Sequence, residues 1–349
     1  MVKLPLGVAF SFSLLLSWGL PVGALGQEPA YDPPRTAEGR PDFSGVWTNA
    51  SLTRLSRPDD IETLVLDPAR AAELSGKHFH NVRAARDLQP SDPDREAPEV
   101  VERLPPVGNY NAGWVDPGTD YAVVNGEIRS SWLVEPADGQ VPYLPELRER
   151  LTAAGELRRT REGPEVMSLG ERCVLGFGGT AGPPMLNVLY NNYYRFVQTG
   201  DRLMVLIEMV HDARDIPIVA DAAAAKEARQ ASSRGRVPRW LGDSVAHWDG
   251  EVLVIETTDF HPERASYGPL YYSEQARVEE RLTRVSDDAI HYAFRIDDPL
   301  HYSEPMRGEM TLRAVLGPVF EYACHEGNYA MPGILKGARL EEREAAGVE

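Results

Sequence analysis

The chain of 349 residues holds only two cysteines, Cys173 and Cys324, and its 53 acidic residues outnumber 36 basic ones. Each shortage excludes something. Two cysteines cannot build a Cys-x-x-Cys zinc ribbon or a redox pair, and no His-x-x-x-His spacing replaces them. A formal charge of −17 with no basic cluster argues against nucleic acid, whose phosphates need gathered Lys and Arg. No Gly-x-Ser-x-Gly elbow marks a serine nucleophile. The Gly-rich segment 176–184 lacks the Lys-Ser/Thr that would cradle phosphate. Beyond the N-terminus, no run is apolar enough to span a bilayer.

At the N-terminus itself, Lys3 precedes an apolar stretch over residues 6–20, with small residues near Gly23, Ala24 and Gly26. This reads as a signal peptide over residues 1–26, hence a periplasmic or secreted protein; a short membrane anchor is the competing reading. In an oxidising compartment an even pair of cysteines is expected to be bridged, although a buried free pair is the alternative.

Alternating apolar runs dominate the second half of the chain. Residues 193–199 turn at Gly200-Asp201 into 202–210, and 244–248 turn at Asp249-Gly250 into 251–257. Residues 276–285 turn at Ser286-Asp287 into 288–297, and 306–315 turn at Gly317-Pro318 into 319–324. Such turn residues between strands are the strongest short hairpin signal. Asp42–Thr48 reads as a first strand whose Trp47 would plug one end, and Asn125-Gly126 marks a smaller hairpin. Helices are expected over 67–75, 145–161, 220–230 and 333–346. The fold class is therefore all-β: one domain over 27–349, an antiparallel up-and-down meander closing into a lipocalin-like barrel. It carries a mixed insertion over 52–190 and a C-terminal helix. The strand 202–210 is apolar on both faces and is expected to be covered on both sides.

Three polar clusters could carry chemistry. His325, Glu326 and Asn328 follow Tyr322 and Cys324 at the chain's last expected strand. Glu208, His211, Asp212 and Arg214 end an apolar strand, where a buried Glu208 would titrate high. Trp240 and Asp243 lead into the next strand, which contains Ser244 and His247, and Glu256 closes its partner. In an up-and-down meander these strand ends share one rim. For an enzyme the expected roles are His325 as general base, Glu208 or Glu326 as acid with His211 nearby, and Arg214 with Asn328 holding an oxyanion. Asp212, Asp243, Glu256, Trp240, Tyr194 and Tyr322 would contact substrate. Tyr193, Tyr271, Tyr272, Tyr292 and Tyr302 would add aromatic surface. A metal trio of His211, His247 and His325 is conceivable, but the sequence signals neither metal nor cofactor.

Phe43-Ser44-Gly45-Val46-Trp47, Glu171-Arg172-Cys173, Glu208 to Arg214, Trp240 to Ser244 and Glu321 to Asn328 together resemble an uncharacterised family of exported bacterial proteins. The resemblance implies export and a travelling cysteine pair; it implies no reaction. The expected function is binding of a small apolar or aromatic molecule, with cofactor-free acid–base chemistry (a lyase, isomerase or hydrolase) if the protein is an enzyme. A non-catalytic carrier or a periplasmic metal-binding protein is the alternative.

Overall fold

Alternation inward and outward along nine strands closes the chain into a barrel in a computed structural model that describes residues 31–90, 112–232, 237–266 and 268–347. The expected signal segment, residues 1–26, lies outside the described residues. In chain order, β1 (Gly45–Thr48) opens the barrel. There follow β2 (Val65–Leu66), α1 (Pro68–Lys77), α2 (Phe79–Asp87), β3 (Val123–Val124), β4 (Glu127–Arg129), β5 (Leu133–Glu135) and α3 (Pro145–Thr160). The wall resumes with β6 (Tyr193–Gln198), β7 (Arg202–Ile207) and β8 (Ala213–Val219), and α4 (Ala222–Ser232) crosses back. Five strands complete it: β9 (Asp243–Asp249), β10 (Val252–Thr258), β11 (Arg277–Ser286), β12 (Ala289–Asp297) and β13 (Met306–Ala314). Helix α5 (Ala330–Ala345) comes last. Closure is the pairing of β1 with β13, Trp47 opposite Ala314 and Thr48 opposite Arg313.

The expected wholly antiparallel meander needs two corrections. Strands β8 and β9 pair in parallel, with Ile218 opposite Ala246, because α4 carries the chain back before β9 begins. Residues 319–324 form no strand. Both edges of β13 are already taken, one by β12 and the other by β1 and β5, so no ladder remains for them. Strand β7 also ends early, at Ile207, because Val210 and His211 both adopt positive φ (67° and 56°). Nor is β7 covered on both sides: Leu203, Val205 and Ile207 face the core, while Met204 is 46% exposed.

Local chemistry explains the elements that match expectation. Asp67 caps α1 by accepting from the N–H groups of Ala69 and Arg70, with Pro68 in the first turn. Asn125 and Gly126 both hold positive φ, as a two-residue type I′ turn between β3 and β4 requires.

The barrel interior is a packed core. Phe196, Ile216, Leu253, Leu282, Phe294 and Met310 are all buried in one cluster. Trp47 stops one end: its indole Nε1 donates to Phe43 O at 2.9 Å, and the Arg284 guanidinium lies 4.9 Å from its ring centre. Gly308 on β13 lets the Phe294 ring cross directly over the strand; a Cβ there would meet Phe294 Cζ at 2.1 Å. Gly308→Ala is therefore expected to lower stability by about 1–3 kcal/mol through overpacking. Equilibrium urea unfolding checks this, and an unchanged midpoint would refute it.

The other barrel end is stoppered by the Gly-rich segment. Thr180 O accepts from Tyr194 Oη at 3.1 Å, Pro183 O from Tyr272 Oη at 2.7 Å, and the Met185 N–H donates to Tyr292 Oη at 3.1 Å. Three tyrosines expected as ligand-facing surface thus spend their hydroxyls pinning this plug. Cys173, just before it, is disulfide-bonded to Cys324. No described helix is long and apolar enough to cross a membrane.

Candidate functional site

The strand-end clusters meet at the plugged end. Strands β6, β8, β9, β11 and β13 begin there, and β7, β10 and β12 end there. His211, Asp243 and Glu256 therefore belong to strand termini on one rim, because the unforeseen β8 and the return through α4 add two passes that cancel.

Between β7 and β8 the chain reverses over Glu208–Asp212. The Ile207 N–H donates to Asp212 O at 2.8 Å. Glu208 is buried and accepts from Asn191 Nδ2 at 2.6 Å and the Phe320 N–H at 3.4 Å. Burial pushes its carboxyl up, and these donors partly offset the push. The Tyr322 N–H donates to His211 Nε2 at 2.8 Å, so the neutral ring carries its proton on Nδ1. Glu208 and His211 thus fasten the C-terminal segment to the rim.

Asp212 is different. Its Oδ2 is buried and has no hydrogen-bond partner among the described residues. Burial raises its carboxyl to about 6, opposed by the positive charge of Arg264. Arg264 is itself only 2% exposed, with its guanidinium 4.9 Å from the Tyr272 ring centre. Two residues beyond Asp212, Arg214 points into the barrel. It makes a two-pronged ion pair with Glu280, one prong Nη1 to Oε1 at 2.9 Å and the other Nη2 to Oε2. Arg214 Nη2 also reaches Ser244 Oγ at 3.2 Å and Thr257 Oγ1 at 3.3 Å. Tyr292 Oη donates to Glu280 Oε1 at 2.6 Å, joining this pair to the plug through Met185.

Asp212 and Arg214 face Trp240, Leu241 and Ser244 across a cavity of about 480 Å³. The loop holding Trp240 is set by Gly242. Its φ is +72°, and a Cβ would lie 2.7 Å from Thr258 O, so glycine alone fits beside β10. Trp240 stacks on His261 with ring centres 3.9 Å apart, which fixes the indole as a rigid wall. This cavity therefore combines a desolvated carboxyl, a neutralised Arg214–Glu280 pair and an aromatic face, a mixture of polar and apolar lining found in small-molecule sites.

The remaining expected residues are spread around it. Asp243 lies at the rim with Arg239 Nε 3.4 Å away. Tyr322 and Asn328 line a neighbouring cavity beside the disulfide, where Asn328 Nδ2 donates to Glu171 O at 3.0 Å. Tyr194 is buried under the plug. Glu256 lies on the barrel's outer face, in an ion pair with Arg229 of α4 at 2.7 Å. His325 and Glu326 are exposed in a turn and line neither cavity. His247 is buried on the outer face of β9, apart from His211 and His325. Among the described residues no group of three or more His, Cys, Asp or Glu side chains is placed to hold a metal.

Sequence reasoning passed over Glu280, Thr257 and Arg264. Glu280 had a readable signal, because it shares the apolar face of β11 with Val278 and Leu282. Arg264 follows β10 in a short turn, and nothing in its neighbours marks it as buried. No protein-family model matches the chain, and no curated protein matches it significantly.

Proposed function

We propose that the protein binds a small aromatic molecule in the cavity between Asp212 and Trp240, and acts on it by cofactor-free proton transfer. The observation that carries this reading is the buried Oδ2 of Asp212, without a hydrogen-bond partner among the described residues. A carboxyl raised to about 6 exchanges a proton near neutral pH, as a general acid or base must. Trp240 supplies a face on which a planar ring can lie beside that carboxyl. The barrel interior is filled by side chains, so the ligand occupies the rim rather than a central calyx. The reaction class is lyase, isomerase or hydrolase. Export to an oxidising compartment is part of this reading, supported by the disulfide between Cys173 and Cys324.

The test begins with mass spectrometry of small molecules released from natively purified wild type, Asp212→Asn and Trp240→Ala proteins. A compound retained by the wild type and depleted in Trp240→Ala supports the site. Conversion of that compound by wild type, with at least about a hundredfold slower conversion by Asp212→Asn, supports proton transfer. Equal conversion by Asp212→Asn would sink the catalytic assignment, and retention without conversion would make the protein a carrier.

The same carboxyl gives a stability signature. Its folded value lies above the ordinary 3.8, so the folded state holds the proton more tightly than the unfolded chain. This contribution is fully present below 3.8 and is lost as pH rises toward about 6. Asp212→Asn cannot titrate, so its stability should gain on the wild type across that window and run parallel above it. Urea midpoints measured against pH for both proteins check this; parallel curves throughout would refute it.

A further inference from the structure

A second cavity, of about 630 Å³, lies over the outer side of the plug, between it and residues 51–58 with the start of α2. Its walls are apolar, from Leu55 and Val141 on one side to Leu186 and Val188 on the other. Tyr143 also faces it, and its hydroxyl is committed to Pro269 O at 2.5 Å, leaving the ring as surface. Asn187 is likewise committed: it accepts from Trp132 Nε1 at 2.7 Å and donates to Ser51 O at 2.7 Å and Thr53 O at 3.1 Å.

Two nitrogen-bearing side chains on this wall, Arg54 and His78, are uncommitted among the described residues. The Arg54 guanidinium has no ion-pair or hydrogen-bond partner among the described residues. His78 caps α2, its Nδ1 accepting the His80 N–H at 3.4 Å, so the neutral ring carries its proton on Nε2. Partial burial and the nearby Arg54 charge push His78 down, which favours the neutral ring. Its Nε2–H also lacks a partner among the described residues. The ring is held by Phe79, 4.6 Å between centres. The cavity thus offers a cation and an N–H donor, uses up its amide, and apart from Ser51 and Ser56 is otherwise lined by apolar and aromatic side chains. In a chain of formal charge −17, an arginine with no partner among the described residues, set beside an apolar cavity, selects for anions.

We propose that this cavity is a second ligand site, separate from the one at Asp212, and that it takes a small aromatic carboxylate. The carboxylate accepts from Arg54 and His78 Nε2, and the ring lies between Tyr143 and the apolar side chains of the plug. The site does not depend on the chemistry proposed at Asp212.

Naphthoate and its uncharged counterpart naphthamide serve as probes, titrated by fluorescence into the full-length protein. Saturable naphthoate binding is expected, at least about tenfold tighter than naphthamide, because a hydrogen-bonded charge is the difference. Arg54→Gln, an exposed side chain whose loss leaves the core intact, should weaken naphthoate at least about tenfold and leave naphthamide unchanged. Leu189 also lines the cavity, so Leu189→Trp, which fills it, should weaken both, and Asp212→Asn should weaken neither. Equal binding of the two probes, or naphthoate binding indifferent to Arg54→Gln, overturns the proposal. So does an absence of saturable binding by a wild-type protein that unfolds cooperatively.

Discussion

Replacing Glu280 by Gln is expected to destabilise the protein by about 3–5 kcal/mol, the cost of leaving one charge of a buried pair alone. Glu280 is wholly buried and Arg214 is 4% exposed, so water cannot reach the cation once the carboxylate is gone. The damage spreads beyond the pair. Tyr292 donates to Glu280 and receives the Met185 N–H, so the plug loses one of its three tyrosine anchors. Replacing both partners by Met in one protein should recover much of the loss, because a matched apolar pair removes the desolvation cost as well. Urea unfolding of the single and double variants decides it. A Glu280→Gln protein within about 1 kcal/mol of wild type would show that this pair does not hold the core.

Removing the disulfide is expected to cost nearly as much. Cys173 and Cys324 are 151 residues apart, and a crosslink closing a loop of that size restricts the unfolded chain by about 5 kcal/mol in the chain-entropy account. The expected loss in the Cys173→Ala, Cys324→Ala double variant is about 3–5 kcal/mol, since residual structure in the unfolded chain reduces the ideal figure. The loss should also be local. The segment around Tyr322 would then be held by Glu208, His211 and Asn328, through a handful of hydrogen bonds. Hydrogen exchange should show its amides opening before the barrel strands. Wild-type stability in the double variant, or uniform exchange across the chain, would refute the clamp.

The two effects act on one end of the barrel from opposite sides. The ion pair holds the plug from within, and the disulfide fastens the C-terminal segment over the turn that bears Asp212.

Much of this architecture is written locally. Period-two alternation in β6 and in β9 to β13 needs only near neighbours to be read, and Asp249-Gly250 and Asn125-Gly126 announce their turns because few residues tolerate positive φ. Asp67 and Pro68 announce α1 for the same local reason. Where β8 was missed, Pro217 interrupts the run, the reversal from β7 over Glu208–Asp212 carries no Asn-Gly or Asp-Gly pair, and the parallel pairing with β9 leaves no hairpin turn on that side. Residues 319–324 carry a strand-like pattern, yet whether an edge is free to receive them depends on β1, more than 250 residues away in the chain. That question has no local signature.

Sequence alone settled that the chain is strand-rich, that its strands pair largely as neighbours, and that Glu208, His211, Asp212 and Arg214 are gathered at a strand end. It also placed Trp47 on the first strand and raised the expectation that Cys173 and Cys324 are bridged, which the structure bears out. Only the tertiary structure decided which of those polar groups are spent. Glu208 and His211 are consumed by Phe320 and Tyr322, Arg214 by Glu280, and Glu256 by Arg229, each a partner distant in sequence. The physical reason is that hydrogen bonding and desolvation are properties of enclosed space. A residue's chemistry follows from its type, but its availability follows from what the fold places against it.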